Sequence, residues 1–178
     1  GLAKLGARVG FLNTHVSGKP LAHALQVTGA THVVVGEECL GLFAATELPS
    51  DLGYWLWPDA ERPASAELRA RCTVDLAQAT HQAPDHNPPA EWRAGLVAGD
   101  PALYIFTSGT TGLPKAAVIS HARWLMTGDV MQATMDVQAH ECFYVFLPLY
   151  HGAASLSAGA TAFVAGASLL LRRKVGRS

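Results

Sequence analysis

"YIFTSGTTGLPK", residues 104–115, sets an apolar run against hydroxyl side chains, two glycines, a proline and one lysine. Tyr104-Ile105-Phe106 has the make-up of a strand end entering a core. Thr107 opens a loop at the carboxyl end of that strand, which is where open α/β sheets place their ligands. Gly109 and Gly112 free the backbone for conformations closed to other residues and for close approach to a ligand. Thr107, Ser108, Thr110 and Thr111 add hydroxyl donors, and Lys115 adds a point cation after Pro114 has restricted the turn. These residues together suit a phosphate cradle. The spacing is not that of a P-loop, which needs GxxxxGK[ST], nor that of a GxGxxG turn. A mobile Ser/Thr/Gly linker is the plain alternative. The strand before the loop and the strand-period "AAVIS" (116–120) after it weigh against that alternative.

The surrounding chain supports a folded α/β unit. Its 178 residues suffice for one domain with a core and are short for two. A hydrophobic content of 49% with 15% charged residues excludes global disorder. With 13 Lys and Arg against 14 Asp and Glu, no overall field draws the chain to nucleic acid, so any anion must be captured locally. Cys39, Cys72 and Cys142 lie far apart and form no CxxC pair, which argues against a zinc knuckle or a disulfide framework and fits a reducing, cytoplasmic compartment. No leader is legible before Gly1. The abrupt start, and the end shortly after "LLLRRK" (169–174), lead us to expect a piece of a longer protein with its first helix begun upstream.

Apolar runs at 7–12 and 31–35 flank a helical stretch at 21–27. The same alternation returns with a strand at 102–106, a helix at 120–135, a strand at 142–147, a helix at 152–166 and a buried strand at 167–171. This order predicts an α/β fold with a mostly parallel sheet and helices on both faces. The proline-rich middle, 48–101, is expected to be surface loops around one helix at 64–79. "HQAPDHNPPAEW" (81–92) holds two histidines and an aspartate, but three prolines deny it a rigid element, so it is expected to be a solvated loop rather than a metal site. Residues 152–171 carry no charge and are long enough to cross a bilayer. Their Gly, Ala, Ser and Thr content and the Gly166-Ala167 break favour a buried helix and strand instead.

"TSGTTGLPK" (107–115) resembles the phosphate-binding signature of the adenylate-forming superfamily, which includes acyl-CoA synthetases, luciferases and peptide-synthetase adenylation domains. "LPLYHGAA" (147–154) resembles that superfamily's next motif, in which an aromatic-histidine pair lines the acyl pocket. "GLAKLGARVGFLNTHVSGKPLAHAL" (1–25) and "GASLLLRRK" (166–174) are similar to fatty acid transport proteins and very-long-chain acyl-CoA synthetases. The resemblance implies that residues 1–178 are part of the large N-terminal domain of an acyl-CoA synthetase-like fold, truncated at both ends and lacking the C-terminal domain. It implies a fatty acid, ATP and coenzyme A as substrates, with Mg2+ on the phosphates. Thr107, Ser108, Gly109, Thr110, Thr111, Gly112 and Lys115 are then the nucleotide-binding residues, and Tyr150, His151 and Gly152 line the substrate pocket. His151 is a catalytic candidate with a packed or capping role as its alternative. Ser120 and His121 are expected to be structural, with Ser120 capping a helix. The resemblance also implies that this chain alone does not turn over. Two other classes stay open: a membrane-associated fatty acid uptake protein, with peripheral membrane association, and a nucleotide-binding module without catalysis.

Overall fold

The computed structural model describes residues 1–107 and 112–172. In chain order the first elements are β1 (Val9–Phe11), α1 (Gly18–Thr28), β2 (His32–Gly36), α2 (Leu40–Ala44) and β3 (Gly53–Trp57), followed by α3 (Ala66–Arg69), β4 (Val74–Asp75) and α4 (Leu76–Gln82). The remainder are β5 (Pro101–Thr107), β6 (Lys115–Ser120), α5 (His121–Met135), β7 (Cys142–Val145), a π-helical turn at Ala153–Ala158, α6 (Gly159–Ala165) and β8 (Ser168–Leu171). Parallel pairing predominates as the sequence predicts. Among the described residues it is distributed over three sheets, ordered β1-β5-β6, β2-β3-β4 and β7-β8, rather than one.

The chain divides into two compact units. One takes Asn13–Asn87 and Ser108–Lys115 and is built around β2-β3-β4. α1 presents Leu21, Ala24 and Leu25 to its core, the i, i+3, i+4 stripe of an amphipathic helix, at about 1.5–3 kcal/mol for each leucine. Gly29, at φ 60, ends α1 in the left-handed conformation that glycine adopts without penalty. In β2 and β3 the alternation is strict: Val33 and Val35 stand in register with Tyr54 and Leu56 and all four are buried, while Val34 and Trp57 are exposed.

The middle of the chain departs from the sequence expectation. β3 lies in the stretch expected to be loop, and the helix expected at 64–79 is two short helices separated by β4. Each helix has its own cap: Ser65 Oγ accepts from Leu68 N, and Asp75 Oδ1 accepts from Gln78 N. Between them, Thr73 donates its N–H and its hydroxyl to the Tyr54 carbonyl, which docks β4 on β3. Strand pairing at Val74–Asp75 interrupts the expected helix there, as tertiary context commonly does.

Glu37, only 2% exposed, is the more deeply buried of two buried acidic residues among the described residues of this unit, Asp59 being the other. Its carboxylate accepts from the N–H groups of Asp59 (2.9 Å) and Ala64 (2.8 Å) and pairs with Arg69, whose Nε lies 2.6 Å away. The Asp59 N–H, the Ala64 N–H and Arg69 together hold the Glu37 carboxyl below its ordinary value against the opposing effect of burial. A depressed carboxyl pKa stabilises the fold fully above the unfolded value, about 4.3, and that stabilisation is lost as pH falls through the lower folded value. Glu37→Gln is therefore expected to lower the thermal midpoint at pH 7. It should also flatten the loss of stability between about pH 4.3 and lower pH, and thermal melts across that range check both. An unchanged pH profile would show that the network is not what acid breaks.

The other unit takes Gly1–Leu12, Pro88–Thr107 and the chain from Ala116 onward. Val9, Gly10 and Phe11 of β1 lie opposite Leu103, Tyr104 and Ile105 of β5. A 3-10 turn spans Leu2–Leu5. α5 begins on Ser120, whose Oγ accepts from Arg123 N, as expected of a cap. β7 and β8 are joined through the π-turn and α6, the helix-sized crossover that parallel strands require. β8 is not the buried strand expected: all four of its residues are exposed, because among the described residues it pairs with β7 alone. Among the described residues no helix is long and apolar enough to cross a membrane.

Candidate nucleotide and acyl site

The 104–115 stretch takes the form expected of it at both ends. Thr107 is the exposed last residue of β5, and Lys115 is the exposed first residue of β6, its neighbour in the sheet. Because β1 and β5 run parallel, Thr107 leaves at the carboxyl edge of that pair. Gly112 has φ 80, with open space where a side chain would begin, so glycine is required there by backbone conformation rather than by crowding. Ser108, Gly109, Thr110 and Thr111 lie outside the described residues.

In the "LPLYHGAA" block β7 ends at Val145, two residues short of the strand expected over 142–147, and His151 lies beyond it. It sits in the turn that starts the π-helix, with its N–H donating to the Pro148 carbonyl at 2.9 Å. The His151 carbonyl accepts from Ala154 N, Ser155 N and Ser155 Oγ at 3.0, 3.0 and 3.1 Å, so its backbone nucleates the helix. Its ring is exposed and stands 5.5 Å from that of half-buried Tyr150. Gly152 follows at the first turn. The structure thus brings Tyr150, His151 and Gly152 together on one turn.

Next to that turn is a cavity of about 710 Å³ within the same unit, which Leu149, Trp124, Leu125, Phe163 and Leu169 wall with apolar surface. Gly159, Ala162 and Ala102 keep it open, and Lys4, His121 and Ser155 supply polar groups. The size suits a small-molecule pocket, and the lining suits an apolar group with one polar end. His121 was expected to be structural. Its backbone N–H does bond the Asp100 carbonyl, and it also lines this cavity. Trp124 was missed altogether. Its ring meets Phe163 at 5.2 Å and its Nε1 donates to the Ser155 carbonyl at 3.1 Å. No sequence pattern links positions 31 apart on different helices.

Elsewhere among the described residues the titratable groups offer no rival centre. Burial pushes the Cys72 thiol up, which disfavours the thiolate a nucleophile needs. Burial likewise raises Tyr54, over whose ring the Arg71 guanidinium stands at 5.7 Å. Among the described residues no three His, Cys, Asp or Glu side chains gather as metal ligands.

Residues 1–177 match the family described as AMP-binding enzyme, and the chain belongs to that family. Long-chain fatty acid transport protein 6 of Homo sapiens is 33% identical over 180 residues, covering all of this chain and 28% of the relative. Long-chain fatty acid transport protein 1 of Bos taurus is 34% identical, covering all of the chain and 27% of the relative. The chain thus spans little more than a quarter of the length of these relatives. Among solved structures, the N-terminal domain of FACL13 from Mycobacterium tuberculosis superposes with a TM-score of 0.74 at 20% identity, covering 98% of this chain and 40% of that one, a likeness of fold.

Proposed function

We propose that this chain is part of the N-terminal domain of an ATP-dependent fatty acid-CoA ligase. The carrying observation is the β5-to-β6 loop, hinged at Gly112 and leaving the carboxyl edge of a parallel pair, in a member of the AMP-binding family. In this reading the fatty acid carboxylate attacks the α-phosphorus of ATP and pyrophosphate departs. The thiol of coenzyme A then attacks the acyl carbonyl and AMP departs. A carboxylate is ionised at neutral pH, so no general base is needed for the first step. What the protein supplies is position and charge neutralisation.

Thr107, Ser108, Gly109, Thr110, Thr111 and Gly112 would hold the β and γ phosphates, with Lys115 as a cation beside them. The donor chemistry fits Mg2+ as it is carried on nucleotides, where phosphate oxygens and water supply most ligands and dedicated carboxylate cages are not needed. When bound, the ion neutralises charge on the phosphates. Tyr150, His151 and Gly152 would line the entrance for the carboxylate, and the slim apolar cavity walled by Trp124, Leu149 and Phe163 would take the tail. That lining, and the names of the similar proteins, support a fatty acid over a small polar acid.

ATP-pyrophosphate exchange by the full-length protein carrying this domain, with palmitate as the acid, tests the reading. Exchange that depends on the fatty acid is expected. Tight ATP binding with no exchange would overturn it in favour of a non-catalytic nucleotide-binding module. The similar proteins' description as transport proteins favours one further reading, uptake at a membrane, for which peripheral attachment would suffice. Carbonate washing of membranes holding the full-length protein separates release of a peripheral ligase from retention of an integral carrier.

A further inference from the structure

We propose that Trp124 is a positioning residue for the Tyr150-His151 turn, acting through the π-helix that follows it. π-turns are rare, and where they occur a local cause in the hydrogen-bond ladder and a nearby functional site are commonly found. Here the cause is visible. The indole Nε1 of Trp124, from α5, donates to the Ser155 carbonyl at 3.1 Å, inside the Ala153–Ala158 π-segment. A carbonyl engaged from outside is drawn off the ordinary i→i+4 ladder, and the ladder widens. At the far end of the segment a Cβ on Gly159 would lie 3.2 Å from the Ala154 carbonyl oxygen, so glycine is what lets the wider turn close.

Ser155 carries the constraint back to the turn. Its hydroxyl and its N–H both donate to the His151 carbonyl, at 3.1 and 3.0 Å, and the side chain is buried. The His151 backbone is therefore fixed to the same residue that Trp124 holds. Gly128 lets α5 approach the Ala160 backbone too closely for any side chain, which seats the helix that carries Trp124 directly against α6. The exposed His151 ring, beside that of Tyr150, is aimed by a bond that begins on another helix. This inference rests on the reading that the turn faces substrate only for its consequence in catalysis, not for the coupling itself.

The test uses NMR of this chain, following the His151 ring signals and the exchange rates of the Ala154 and Ser155 amides that bond the His151 carbonyl. Trp124→Phe keeps a ring against Phe163 and removes the donor. It is expected to stay folded, to speed exchange of those two amides about five- to tenfold, the worth of one hydrogen bond, and to move the His151 signals. A folded Trp124→Phe chain with His151 signals and exchange rates unchanged would overturn the proposal. If that variant does not fold, Ser155→Ala decides. It keeps the indole bond to the backbone and removes the hydroxyl, so a moved His151 signal with an unmoved Trp124 indole N–H supports the coupling and an unmoved His151 signal overturns it. In the full-length protein Trp124→Phe, which keeps an aromatic wall on the cavity and removes only the indole donor, should raise KM for the fatty acid while leaving KM for ATP alone. If the NMR changes occur and neither KM moves, the coupling stands and the substrate-pocket reading of the turn fails.

Discussion

Gly128→Val is expected to lower the thermal midpoint of this chain by roughly 5–10 °C, the largest stability effect of any single substitution argued from its packing. Gly128 is the buried residue of α5, and α6 crosses it backbone to backbone. A Cβ there would lie 2.6 Å from the Ala160 carbonyl oxygen and 2.8 Å from its carbon, with Val164 Cγ2 also at 2.8 Å. Backbone atoms cannot rotate away as a long side chain can, so the helices must separate. Overpacking of this kind costs about 1–3 kcal/mol. Gly128→Ala regains about 1 kcal/mol of helix propensity and should cost less. Valine adds bulk and χ1 restriction and has no such offset. Thermal melts of both variants check the order, and a midpoint for Gly128→Val equal to wild type would show that the two helices do not meet as described.

Lys115→Met is expected to weaken ATP binding by about 10- to 100-fold while changing AMP affinity little, as befits loss of one charge-assisted contact to the β or γ phosphate, about 1.5–3 kcal/mol. The lysine begins β6, at the end of the loop that Thr107 opens, so the substitution alters charge without moving the strand. Calorimetric titration with both nucleotides measures the difference. Equal weakening toward ATP and AMP would place the lysine near the adenosine or α-phosphate instead. Gly112→Ala should act on the same loop by another route, since alanine at φ 80 is strained by about 1–2 kcal/mol.

The parts of the molecule that were legible in the sequence are those whose signals are local. The strand at Tyr104–Phe106, the cap at Ser120 and the β-branched run of β2 each follow from neighbours a few residues away. β3 and β4 were not legible because they exist through pairing with β2 and with each other, and the prolines around them signal loops. The burial of Glu37 was hidden for the same reason: its partners, Asp59, Ala64 and Arg69, lie 22, 27 and 32 positions away. Of the nucleotide loop, the strand that ends at Thr107, the strand that begins at Lys115 and the positive φ of Gly112 were legible, because strand composition and glycine carry local signals. The strand before the Tyr150-His151 turn ends at Val145 rather than at 147, since where β7 ends depends on its partner β8. Trp124 carried no sequence signal, because its bond to Ser155 is made only when α5 and the following helix pack.

The central claim is that the loop between β5 and β6 wraps the polyphosphate of ATP. Titration of the 15N-labelled chain with Mg-ATP, followed residue by residue, tests it most directly. The account predicts that the amides of residues 107–115 shift first and furthest, and that AMP at the same concentration leaves most of them in place. Shifts confined to other segments, or an identical pattern with AMP, would contradict it.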